Sequence, residues 1–181
     1  MGSLQDLVPV IASQAQDWID QQRATHLPQG RPLTDFESAA LARHFSAEIL
    51  TRARVAFVAR ISNPPFLAML LEQLSVFGKQ VHFDFSNSAG ITFGECILIP
   101  GRDLPADLLF HEMVHVEQYG FLGIPGFARA YVQGIVDSGF IYERIPLEII
   151  AFAMSDRFTA DEAFSVAAEL SDWLRQMGYT S

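Results

Sequence analysis

The chain has one cysteine in 181 residues, Cys96. That excludes an internal disulfide and any cysteine-rich zinc cluster. Basic side chains are few as well: 12 Lys and Arg against 21 Asp and Glu give a net charge of -9 and a pI near 4.9. A nucleic-acid surface needs the opposite sign, so no nucleic-acid partner is expected. The acidic residues are dispersed, with no run that would form a tail. Long apolar runs are missing too. The most apolar window, Pro65 to Leu71, falls far short of the roughly 20 residues that span a bilayer, and no transmembrane segment is expected. The opening MGSLQDLVPVIAS has no basic stretch and carries Asp6, which does not fit a signal peptide. The expectation is a soluble, cytoplasmic protein.

What is present is mostly apolar. Half the residues are hydrophobic, only 18% are charged, and the mean hydropathy is +0.20. Such a composition calls for an extensive core, a hydrophobic groove or a partner surface. The length fits a single domain, residues 1–181. Within it we expect a helical N-terminal part (1–78), a core (79–158) and a C-terminal helix (159–181).

Apolar spacing at Val8, Ile11, Ala12, Ala15 and Ile19 predicts a first helix over 6–22. Thr34 and Glu37 form a capping box that opens a second, running to about Arg54. His44 falls near its apolar stripe and reads as a structural histidine. Strands are expected over Val55–Ile61, Val81–Phe85 and Ile91–Ile99, the last two pairing in a small antiparallel sheet. Asp84, Asn87 and Ser88 read as turn chemistry. Asp103 is expected to cap a helix that Gly120 closes, followed by helices over 127–136 and 146–157. Thr159 and Glu162 predict a second capping box for the last helix. The fold class is α+β, rich in helix.

One stretch stands out, His111-Glu112-Met113-Val114-His115-Val116-Glu117-Gln118-Tyr119. H-E-x-x-H on a helix is a zinc site with its own general base. At 100° per residue, His115 lies about 40° around from His111 and one turn below it, and Glu112 lies about 100° around. Two imidazoles and a carboxylate therefore share a face. The alternative is a solvated helix turn. Leu108, Leu109, Phe110, Met113, Val114 and Val116 argue against it, because they bury most of the helix, and buried charge needs a partner or a metal. Glu117, about 240° around, is the carboxylate expected to face water.

A third ligand is required. The extended three-histidine pattern would place Gly at 118 and His at 121; the chain has Gln118 and Phe121. No cysteine or histidine follows His115. Asp137, Glu143, Glu148 and Asp156 remain. Glu148 is chosen because it is the only charge in Ile145–Met154, where a carboxylate is costly to bury unless something satisfies it. The competing reading is an exposed first-turn glutamate favoured by the helix dipole. Gln118 and Tyr119 also lie near the metal face. Either can hold an imidazole in its tautomer.

HEMVH followed by a glutamate on a second helix resembles the gluzincin division of zinc metallopeptidases. More narrowly, ITFGECILIP, LLFHEMVHVEQYGFLG, FARAY and YERIPLEIIAF resemble a group of small bacterial zincin-like proteins, over residues 80–155. The resemblance implies a zincin-like core holding one Zn2+ per chain. It makes His111, His115 and Glu148 the zinc ligands and Glu112 the base that activates a zinc-bound water. The implied activity is hydrolysis of peptide bonds in a peptide or protein substrate. It also implies that Ile97–Ile99 is a sheet edge open to an extended peptide. Tyr142, six residues before Glu148, is a candidate oxyanion donor or a buried aromatic with a satisfied hydroxyl. The other functional expectation is a non-catalytic zincin-like module that binds zinc or a protein.

Overall fold

The first helix, α1 (Leu4–His26), is longer than its apolar spacing requires and carries Pro9 inside it. In this computed structural model residues 4–76 and 84–179 are described. A two-residue strand β1 (Arg31–Pro32) follows, then α2 (Asp35–Leu41), α3 (Ala47–Arg52) and β2 (Arg54–Val58). The Thr34 capping box forms: Glu37 N donates to Thr34 Oγ1 at 3.2 Å and Thr34 N to the Glu37 carboxylate at 2.7 Å. The single helix expected to reach Arg54 is broken in two. Ser46 caps α3 by accepting from Ile49 N, so a second start signal interrupts the run. His44 sits in that break, buried against Phe110, Phe158 and Phe164, with Nδ1 3.2 Å from the Phe164 carbonyl oxygen. It is a core histidine.

After α4 (Phe66–Val76) come β3 (Ile91–Phe93) and β4 (Cys96–Pro100). The run expected as one strand over 91–99 is therefore a hairpin. Its turn is Gly94-Glu95, with Gly94 at φ +65. Of the strand expected over 81–85, residues 81–83 lie outside the described residues. Asp84 and Phe85 are not strand: Asp84 caps a 3₁₀ turn, Phe85–Asn87, accepting from Ser86 N at 2.9 Å.

The sheet is mixed, not antiparallel. Its order is β1-β2-β4-β3, with β2 and β4 parallel. Parallel neighbours need a long crossover, and the chain between β2 and β4 supplies one that includes α4. β4 is thus central, and among the described residues the edge beside it is β3. The expectation that Ile97–Ile99 forms the edge is corrected accordingly. Alternation of side chains explains the nearly unbroken apolar run of β4. Val55, Ile97 and Ile99 join a core with Leu41, Ile49, Phe110 and Met113, while Ala56, Cys96 and Leu98 join one with α1 and Phe127.

Next is α5 (Ala106–Asp137), two helical segments joined at a kink. Asp103 does not cap it; Pro105 precedes its first residue and makes no side-chain cap. Gly120 stays helical, and the turn falls at Gly123, with φ 64 and ψ 171. A side chain is disfavoured there, and Pro125 behind it cannot donate to the preceding turn. The last helices are α6 (Pro146–Thr159) and α7 (Val166–Gln176). The second capping box does not form. Thr159 ends α6, Glu162 pairs with Arg157 at 2.8 Å, and Ser165 caps α7. Among the described residues no helix is long and apolar enough to cross a membrane.

Glu117 corrects a further expectation. It is buried, 7% exposed, and its Oε2 has no hydrogen-bond partner among the described residues. The face assigned to water is closed off, and the charges of Glu48 and Arg52 on α3 act on the carboxyl. Burial, then the Glu48 charge, pushes the Glu117 carboxyl above its ordinary range. A raised folded value means its contribution is whole at low pH and lost as pH rises through that value. Glu117→Gln should therefore stabilise the protein at pH 7. The gain should vanish near pH 4. Urea unfolding at the two pH values reads both.

Candidate metal centre

The first segment of α5 carries His111 and His115 one turn apart, and the start of α6 carries Glu148. All three are buried, at 7, 5 and 2% exposure. The pattern of each helix explains why they face inward: Phe110, Met113 and Val114 bury α5, while Leu147 and Ala151 bury α6. His111 Nε2 lies 3.2 Å from Glu148 Oε2 and 3.2 Å from His115 Nε2, and His115 Nε2 lies 3.4 Å from Glu148 Oε2. Two ligand atoms at about 2.0–2.1 Å on a tetrahedral ion stand about 3.3–3.4 Å apart. The triangle has the size of one face of such a coordination shell. Among the described residues this buried group can hold a metal ion.

The lone pairs are aimed correctly. Gln118 donates Nε2–H to the Leu147 carbonyl at 2.9 Å, which turns its Oε1 toward His115 Nδ1 at 2.8 Å. An amide oxygen only accepts, so Nδ1 must carry the proton and Nε2 is left as a ligand. Gln118 is fully buried. It thus takes the role open to it in the sequence, whereas Tyr119 stacks on Phe127 at 3.8 Å. Gln118→Leu is expected to weaken metal affinity about 10- to 100-fold. Competition with a chromophoric chelator measures it.

Electrostatics mark the same spot. Burial alone would push the Glu148 carboxyl up; the His115 and His111 imidazoles outweigh it and hold the group well below the usual carboxylate range. Burial likewise opposes charge on His115, but Glu148 and Glu112 raise it to about 9. Three electron-rich atoms at contact distance require positive charge among them. Without a metal, a proton supplies it.

Glu112 is 3% exposed and stands apart from the triangle. Thr92 Oγ1 donates to its Oε2 at 2.6 Å, fixing one oxygen. Burial raises its pKa, an effect the imidazoles and the Thr92 hydrogen bond partly offset. A Cβ at Gly90 would come within 2.7 Å of Glu112 Oε1, so the loop before β3 touches this carboxylate only because residue 90 is glycine. Glu112, His115 and Glu148 line one cavity together with Tyr131 and Tyr142.

Two contributors were not anticipated from sequence. Tyr131 donates its hydroxyl to Glu148 Oε1 at 2.7 Å, and Thr92 holds Glu112. Tyr142, in the 3₁₀ turn Tyr142–Arg144, lines the cavity, and burial and the Glu148 charge raise its pKa. Asp137 is not brought to the triangle; it accepts from Gln5 and Gln133, both at 2.9 Å. Glu143 and Asp156 are likewise not part of the group. No family model matches the chain, and no curated protein or solved structure matches it.

Proposed function

We propose that the chain is a zinc-dependent metallopeptidase of the gluzincin type, with a zincin-like core. His111, His115 and Glu148 would hold one Zn2+, and Glu112 would be the general base. The observation that carries this reading is the buried triangle of ligand atoms beside a separate buried carboxylate in the same cavity. Two imidazoles and one carboxylate are a donor set suited to zinc. A zinc ion there supplies Lewis-acid polarisation of a carbonyl and makes water acidic enough to attack near pH 7.

On this reading the groups around the triangle divide the work. Glu112 takes the proton of the attacking water and passes it to the leaving nitrogen. Its raised proton affinity suits it to hold that proton between the two transfers. The Thr92 hydroxyl keeps one oxygen fixed, and the other, beside Gly90, would take the proton. Tyr131 holds Glu148 in position. Tyr142, in the same cavity, would be the donor to a developing oxyanion.

Metal analysis, together with hydrolysis of an unfolded protein substrate, tests the reading. One zinc per chain, lost in His111→Ala, with hydrolysis that depends on Glu112, supports it. One zinc per chain with no Glu112-dependent cleavage would leave a non-catalytic zinc-binding module instead.

A further inference from the structure

The cavity beside the triangle is much larger than proton transfer requires. Its volume, counted as the space open to the centre of a water-sized sphere, is about 100 Å3, room for several waters rather than one. It runs between α1, α4 and the second segment of α5. On α5 the wall extends from Phe127 to Val136, about 13 Å at 1.5 Å per residue. That exceeds the reach of any single amino-acid side chain.

Apart from Ser88 and the Trp18 indole, the polar side chains of the lining gather at one end. Thr92 and Tyr131 are bonded to Glu112 and Glu148, so they belong to the triangle end. The walls from α1 and α4 are Ile11, Ala15, Ile19, Leu67 and Leu71, with the Trp18 ring set edge-on to Phe93 at 4.9 Å. A peptide main chain laid along these walls would give up its hydrogen bonds to water without replacement. A hydrocarbon chain gives up none and gains from burial.

We propose that the substrate is an amide bearing a long unbranched hydrocarbon chain, such as an N-acylated peptide or amine, with the chain in this cavity and the amide at the triangle. The proposal rests on the hydrolase reading above. Water adds across the carbon–nitrogen bond, giving a carboxylate that retains one part and an ammonium that retains the other. The position of the polar groups sets the register: the reacting amide is the first group that finds donors and acceptors.

Two calorimetric titrations test the proposal, after metal analysis has established zinc uptake. Straight-chain alcohols of four to ten carbons are titrated into the metal-free protein, and alkyl hydroxamates of the same lengths into the zinc-loaded protein. Affinity should rise about fourfold per methylene in both series, the gain expected for burying each CH2. Ala15→Phe and Leu67→Trp, on different helices, should each weaken the ten-carbon ligands at least tenfold and leave the four-carbon ligands unchanged. A flat dependence on chain length in both series overturns the proposal. So does a slope with alcohols but none with hydroxamates, which places the chain away from the metal. Wild-type binding of the ten-carbon ligands by both folded variants also overturns it. Failure to take up zinc overturns the hydrolase reading and this proposal with it, and metal analysis shows that before any titration.

Discussion

Glu112→Gln is expected to lower amide hydrolysis by about 10²- to 10⁴-fold while zinc stays at one per chain. The substitution keeps the shape of a side chain that is 3% exposed and can still accept from the Thr92 hydroxyl at Oε1 of the new amide. What it removes is the capacity to take a proton. Two described neighbours in the cavity do not replace it: Glu148 is held ionised by two imidazoles, and Tyr131 is committed to Glu148. Burial raises the proton affinity of Glu112, so replacing it with a neutral amide should leave thermal stability equal or higher. The expected signature is therefore a large loss of rate with no loss of metal or fold. Full activity in the variant would mean that the base lies elsewhere. Loss of zinc would mean that Glu112 is a ligand rather than a base.

How much of this was legible in the sequence depends on how local each signal is. His111, Glu112 and His115 follow from helical geometry alone, and Glu148 from being the one charge in an apolar decade. The structure brings His111, His115 and Glu148 together and sets Glu112 in the cavity that His115 and Glu148 line. Gln118 was legible from its angle on the helix. Glu117 goes the other way by the same method, because an angle gives direction but not whether that direction is open; here it is buried. Tyr131 reaches Glu148 only because α5 turns at Gly123, and the sign of one φ angle leaves no trace in hydrophobic periodicity. Thr92 looked like any β-branched strand residue. Strand pairing failed for a related reason. Turn residues between strands announce hairpins, as at Gly94, but the pairing of β2 with β4 spans more than 35 residues and is set by helices packing on both sheet faces.

Zinc should reverse the way stability depends on pH. Among the triangle's groups in metal-free protein two shifts act. Glu148 has its folded value depressed, so its contribution is present above the ordinary value of 4.5 and lost only as pH falls through the lower folded value. His115 has its folded value raised from 6.5 to about 9, so its contribution is whole below 6.5 and lost as pH rises to about 9. The triangle's own contribution to metal-free stability should therefore be largest between about pH 4.5 and 6.5 and fall by on the order of 3 kcal/mol by pH 9. Zinc needs both imidazoles neutral, so its stabilisation grows over the interval in which the metal-free protein weakens. At a free concentration 1,000 times its Kd the ion adds about 4 kcal/mol, or roughly 8–16 °C in Tm for a chain of this size. Calorimetry at pH 5.5, 7 and 8.5, with zinc or with a chelator, should show the two Tm values diverging as pH rises. Glu148→Gln should flatten the metal-free slope, because the charge that raises His115 is gone. The same variant should lose most of the zinc shift. An undiminished zinc shift in Glu148→Gln would place the ion away from the triangle and remove the basis for assigning Glu148 as a ligand.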